Sequence, residues 1–355
     1  MRPRILLRTH YQADEPRLII AIVTERCSSP TESRSEEAIA AALERWARKN
    51  NYTVSTPAVV YAVDNARHLG LLDNSNRWTA SGLALAFLHR LLPPSSGAES
   101  RLLTSVEERL YLKLYLAGNG ALVIKFAKWL IERGSTTDEQ LRKESIIEHL
   151  MIEALDEYLS LTTGIRERTA IRKERDRLGR AEYAASTKRH KRYPLLTTML
   201  RLRLLQQRDE SGGHEMLKPD TNGRLAAISR AIPDVDTLER LIRANKLQET
   251  LDVEMREYAR LDLPTNEKPP TLLLHAYAFA MDVGMQACPI SYLDDVLDAF
   301  FPASPAGRSP SAEKMLEPIH KEKPGEVRFH VDRRGQRAFV LISEKAIEHL
   351  KNTAV

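Results

Sequence analysis

Cysteine is nearly missing from this chain. Cys27 and Cys288 are the two in 355 residues, and neither has a second cysteine nearby. That spacing excludes a disulfide framework and a cysteine zinc cluster, and it suits a reducing cytoplasm. Long hydrophobic runs are missing too. The apolar stretches Leu18 to Val23 and Ala121 to Ile124 fall far short of the roughly 20 residues that cross a bilayer, so no membrane partner is expected. The opening MRPRILLRTH breaks every apolar stretch with charge and has neither the apolar core nor the small-residue cleavage site of a secretory signal. We therefore expect a cytoplasmic protein. Catalytic signatures are also lacking: there is no phosphate-binding loop of the Walker type, no GxGxxG, no HExxH and no GxSxG elbow. The expectation is a protein that is not an enzyme, with no cofactor and no metal.

What is present is ordinary globular material, 43% hydrophobic and 28% charged. A chain of this length divides naturally into two or three domains. Net charge is only +5, so the distribution matters more than the total. Between Ile165 and Arg192 eleven Arg or Lys meet four Asp or Glu, an excess of +7 that ends in KRHKR at 188–192. Between Asp236 and Phe301 twelve acids meet six bases, an excess of −6. The first stretch suits a polyanion and the second a protein-facing side. For each, a solvated surface is the plain alternative, with Arg172 paired to Asp176 one helical turn on.

Periodicity and punctuation organise the rest. RLIIAIV is an isolated strand or helix. Ser35 caps a helix through EEAIAAALERWARKN, and Thr56-Pro57 opens another that stops at Gly70. LLD, NSN and RWTA make a short hairpin, and a helix runs from Ser81 to Leu92 before the linker PPSSG. Residues 102–133 read as two helices parted by AGNG, and 137–162 as one longer helix. A hairpin turns at ESGG, Thr221 or Asn222 caps the next helix, and 236–263 is a further helical pattern. PTNEKPP at 264–270 closes that region. The last unit has three helices, LLLHAYAFAMDVG, ISYLDDVLDAFF and SAEKMLEPIHK, then the hairpin EVRFHVD, RRGQ, RAFVLI and a terminal helix.

The order helix, helix, short hairpin occurs near 36–92, 188–230 and 271–350. The stretch AVVYAVDNARHLGLLDNSNRWTASGLALAFL resembles a winged helix-turn-helix, and EVRFHVDRRGQRAFVLI after three helices resembles the same family less specifically. Together they span about half the chain. The resemblance implies a mainly α fold with small β-hairpins. It would comprise a winged-helix-like domain at 1–97, a helical middle at 98–264 with the basic segment and a second winged module, and a winged-helix-like domain at 265–355.

The resemblance also implies double-stranded DNA as partner, with one helix in the major groove and the wing on the backbone. Asn65 and Arg67 would then read adenine and guanine edges, against the repulsion of Asp64. Arg77 in the first wing and Arg333, Arg334 and Arg337 in the last would meet phosphates, as would Arg172, Lys173, Lys188, Arg189, Lys191 and Arg192 of the basic segment. Such a chain would serve as a transcriptional regulator or as a subunit of a genome-maintenance or anti-phage defence assembly. The alternative is an interaction scaffold whose winged modules grip protein partners. Ten histidines are scattered without metal spacing, and His320 with His330 would need a third ligand. Asp294, Asp295 and Asp298 could hold a divalent cation or could be the polar side of a helix that buries Leu293, Val296, Leu297 and Phe300. Trp46, Trp78 and Trp129 read as core anchors.

Overall fold

A computed structural model describes residues 3–5, 16–24, 56–92, 103–180, 195–209, 215–221, 223–255, 268–303 and 309–353, with 41, 44 and 48 described singly. In chain order the described elements begin with α1 (Pro16–Thr24), α2 (Thr56–His68), α3 (Ala80–Leu91), α4 (Ser105–Arg133), β1 (Thr136–Thr137), α5 (Asp138–Lys143), α6 (Ile146–Leu161) and α7 (Ile165–Arg180). Helical residues 195–201 (α8) precede β2 (Leu205–Asp209), β3 (Glu215–Pro219), α9 (Arg224–Ala231), α10 (Val235–Arg243) and α11 (Leu247–Glu254). Then follow α12 (Pro269–Asp282), β4 (Cys288–Pro289), α13 (Ile290–Phe300), α14 (Ala312–Glu322), β5 (Val327–Val331), β6 (Arg337–Ile342) and α15 (Glu344–Thr353). The protein is mainly helical, with two small antiparallel three-stranded sheets among the described residues.

These elements form two compact units, each assembled from separate stretches of chain. Unit 1 takes Met1–Ile19, Val54–Leu69 and Leu112–Met255, and unit 2 takes Ile20–Thr53, Gly70–Tyr111 and Arg256–Val355. The expected division is into three contiguous domains, 1–97, 98–264 and 265–355, whereas these units interleave along the chain. The segment 36–92 is shared, with α2 in unit 1 and α3 in unit 2.

In unit 1 the second half of α4 lies in the core, with Tyr115, Leu116, Leu122, Phe126 and Leu130 all buried. The expected break at AGNG does not occur, because α4 runs unbroken for 29 residues. Its glycines serve close approach instead. A Cβ at Gly118 would lie 2.8 Å from the Leu69 side chain, and one at Gly120 would lie 2.9 Å from that of Leu238. The conformational cost of glycine in a helix is thus accepted where neighbours need the space.

Conversely, the long helix expected over 137–162 is two, because Ser145 adopts φ +52°, and the pattern over 236–263 breaks at Asn245 with φ +51°. Both are left-handed positions that end a helix. The sheet of this unit has the order β1-β3-β2, so the hairpin β2–β3 gains its third strand from Thr136–Thr137, far upstream. Asp220 caps α9 by accepting the N–H groups of Arg224 and Leu225, each at 2.8 Å, a task expected of Thr221 or of Asn222, which lies outside the described residues. Its core also holds a polar knot. Tyr158 donates to Glu239 at 3.0 Å, Arg4 Nε reaches the same oxygen at 3.2 Å, and the Arg4 N–H donates to the Tyr158 hydroxyl. Burial pushes the Tyr158 phenol well up, and the Glu239 charge adds to this.

In unit 2, α3 packs on α12 and α13, with Phe87 against Phe279 and Tyr292 at ring distances of 5.5 and 6.5 Å. The second sheet has the order β4-β6-β5, and α14 covers β5 while α15 lies on α12. The expected first hairpin shrinks to a single bridge between Leu72 and Trp78. Trp78 anchors it by donating its ring N–H to the Val23 carbonyl at 2.8 Å. RLIIAIV is helical, within α1, and buried from Leu18 to Val23. Among the described residues α4 is the one helix long and apolar enough to cross a membrane, and 72% of its apolar window is buried.

Candidate nucleic-acid interface

The most cationic described element is α7. Apolar Ile171 and Leu178, seven residues apart, are its buried residues, and they seat it against α6. The turn between the two helices is pinned by Arg168, whose guanidinium donates to the carbonyls of Leu159 at 2.6 Å and Thr162 at 2.9 Å. Those are C-terminal groups of α6 that lack helical partners. Arg175 donates to Asp156 at 2.8 Å and also reaches Asp176. Its charge is held more firmly as a result, first through the Asp156 hydrogen bond. Arg177 pairs with Glu174. The expected pair of Arg172 with Asp176 is replaced by this arrangement.

Four of the seven cations of α7 are therefore left in solvent: Arg166, Arg172, Lys173 and Arg180 are exposed and make no ion pair among the described residues. Arg166, Lys173 and Arg180 recur every seven residues, on the face opposite Ile171 and Leu178. They form one stripe about 21 Å long at 1.5 Å per residue. Arg166 and Arg180 were legible in the same heptad spacing as Ile171 and Leu178, but the basic stretch read as a whole does not single them out.

The turns of the two expected wings share one device. Asp332 accepts the N–H groups of Arg334 and Gln336 at 2.8 and 3.0 Å, and Gly335 at φ +76° completes the reversal. Asp73 likewise accepts from Ser75 and Arg77, each at 2.8 Å. An aspartate bonding to the backbone two and four residues on makes a tight turn; Asn76 is buried within the first. Arg77, Arg333 and Arg334 are exposed.

Other candidates are withdrawn from any such surface. Asn65 is 1% exposed, so it cannot reach an adenine edge. Arg67 pairs with Asp64 at 2.8 Å, the neighbour expected to repel phosphates. Arg337 binds Glu313 at 3.0 Å and Glu317, and its guanidinium lies 4.3 Å from the centre of the Phe329 ring. The Arg337 hydrogen bond holds the Glu317 carboxyl below the usual carboxylate range and strengthens the arginine's own charge in return. Arg337 is thus committed to α14 and not to a phosphate. Lys188, Arg189, Lys191 and Arg192 lie outside the described residues, as do Trp46, Cys27, most of the helix expected after Ser35, and the turn ESGG.

The remaining chemistry-bearing residues have structural work. Asp294 accepts the N–H of Ala312 at 2.8 Å and starts α14, while Asp295 accepts from Ser81 at 2.6 Å. His68 lies 2.6 Å from the Gly118 carbonyl, His89 is 3.0 Å from Glu107, and His320 is 2.8 Å from the Val327 carbonyl. No group of three or more His, Cys, Asp or Glu among the described residues could hold a metal ion. Burial pushes the Cys288 thiol far above its ordinary range, so its nucleophilic thiolate is suppressed. Trp129 stacks on Phe126 with ring centres 5.9 Å apart and carries Arg133 on its face. A cavity of about 380 Å³ beside β2 and β3 is lined by Asp138, Thr197, Arg201 and Gln207 among apolar groups. Comparison with family models, with curated protein sequences and with solved structures returns no match.

Proposed function

We propose that the chain is a non-catalytic protein that binds double-stranded DNA, with protein partners in a larger assembly. The carrying observation is the solvent-facing line of cations on α7 that make no ion pair among the described residues, since duplex DNA offers about one negative charge per 1.7 Å of axis to such a line. Strand order supports the reading. Each sheet joins a short early strand to the last strand of a later hairpin, and within unit 2 residues 269–353 run helix, strand, helix, helix, strand, strand, helix. A winged helix has the same order, and on this reading Arg333 and Arg334 stand at the tip of the wing. Fluorescence anisotropy with a labelled duplex at about 50 mM salt tests it, a range in which phosphate contacts dominate. Saturable binding that weakens with added salt is expected; no binding would refute the reading.

A second reading has one observation in its favour. The outward side of α14, where a winged helix would face a groove, carries Glu313, Glu317 and Glu322 beside Lys314 and Lys321. A helix of balanced charge, with Glu313 and Glu317 already held by Arg337, suits a protein surface better than phosphates, and makes the chain a scaffold in which this module docks a partner. If so, R333A/R334A leaves duplex affinity unchanged and a nuclease-treated preparation retains a stoichiometric partner.

A further inference from the structure

We infer that α7 is a clamp for the phosphate backbone that lies along the duplex and reads no bases, so that DNA binding by this chain is independent of sequence. The inference rests on the DNA-binding reading and goes on to specify its mode.

Three observations carry it. First, the helix offers no amide readers: IRERTAIRKERDRLGR contains neither Asn nor Gln, the side chains that pair bidentately with adenine. Second, its flanks carry acids. Glu167 and Glu174 lie on one side of the Arg166, Lys173, Arg180 stripe and Asp176 on the other, Glu174 holding Arg177 and Asp176 reached by Arg175.

An α-helix about 10–12 Å across fills a major groove about 12 Å wide, so a helix seated in the groove would press its flanks against the phosphate walls. Here those flanks include Glu167, Glu174 and Asp176. A helix lying on the backbone ridge presents the stripe alone and keeps these carboxylates away. Third, the two side chains expected to read base edges are withdrawn: Asn65 is buried and Arg67 is bound to Asp64. Contacts to phosphate fix position and carry no sequence information directly.

The magnitude follows from counterion release. Each phosphate neutralised adds about 0.9 to the slope of log affinity against log salt, so three stripe cations account for about 2.7. Raising salt fourfold, from about 50 to 200 mM, should then cost the wild type about 40-fold more affinity than R166Q/K173Q/R180Q loses.

The experiment uses the full chain and two labelled 20-base-pair duplexes of unrelated sequence, together with sequencing of duplexes retained from a randomised pool. Expected are affinities within a few-fold on both duplexes, no enriched motif, and a slope lowered by about 2.7 in the triple variant on both. Arg175→Gln, which removes a cation already paired, should leave the slope as it was. An enriched motif, or a triple variant that loses one duplex selectively, overturns the backbone clamp but leaves DNA binding standing. A wild type that binds neither duplex overturns both. All three substituted residues are exposed, and an unchanged circular dichroism spectrum establishes that the variant is folded.

Discussion

Gly82 tests the packing of unit 2 most directly. In an ordinary helix, replacing glycine by alanine stabilises by about 1 kcal/mol, because the backbone of the unfolded chain loses freedom. Gly82 lies in the first turn of α3, buried, and a Cβ there would sit 2.0 Å from the Leu71 carbonyl oxygen and 3.0 Å from its carbon. These are backbone atoms, so no rotamer change relieves the overlap. The same carbonyl accepts the Thr79 N–H, one residue beyond the bridge of Leu72 with Trp78. Displacing it therefore loosens the turn that presents Arg77.

Overpacking a well-filled site costs about 1–3 kcal/mol. An overlap of more than 1 Å belongs at the upper end, so after the helical gain is subtracted Gly82→Ala should destabilise by about 2 kcal/mol. In thermal unfolding followed by circular dichroism, that is a Tm lower by about 4–8 °C. Gly179→Ala is the matched control: nothing lies within 4 Å of its added Cβ and its φ is not positive, so it should be neutral or stabilising by up to about 1 kcal/mol. A Gly82→Ala protein as stable as the wild type would refute the close approach of α3 to Leu71.

Further outcomes follow from single contacts. Asp220→Ala removes the acceptor for two N–H groups at the start of α9 and should cost about 1 kcal/mol in urea unfolding, whereas Thr221→Ala should cost less. Arg168→Gln leaves the Leu159 and Thr162 carbonyls without their guanidinium; hydrogen exchange across α7 should rise, with a stability loss of about 1–3 kcal/mol. The Glu317 carboxyl titrates lower in the folded protein than its ordinary value of about 4.3. The stability it contributes is therefore present above that value and is lost as pH falls through the depressed one. Arg337→Gln should flatten this part of the pH–stability curve, and a carboxyl titration of Glu317 followed by NMR should move back up. R333A/R334A, by contrast, should leave the curve as it is.

Local sequence determined the helical class of the fold and most element positions in the C-terminal third. There, turn residues, apolar periodicity and the RRGQ reversal agree with one another, and α12 to α15 and the β5–β6 hairpin fall where the pattern places them. It also showed where cations are concentrated, since charge runs are a property of the chain alone. What it could not determine is which of those cations remain available. Arg337 and Arg333 lie four residues apart in one hairpin, yet one is bound to Glu313 and Glu317 of α14 and the other is solvent-exposed.

The glycines of α4 and the breaks at Ser145 and Asn245 belong to the same class of decision. Whether a glycine interrupts a helix or admits a neighbour depends on what packs against it. Residues of ordinary helical propensity adopt a left-handed conformation when the surrounding core requires the chain to turn. The partition of 36–92 between two units was equally beyond local reading, because α3 buries its apolar face against α12 and α13, about 200 residues away in the chain. Long-range burial and ion pairing depend on which distant segments meet, and only the folded chain brings them together.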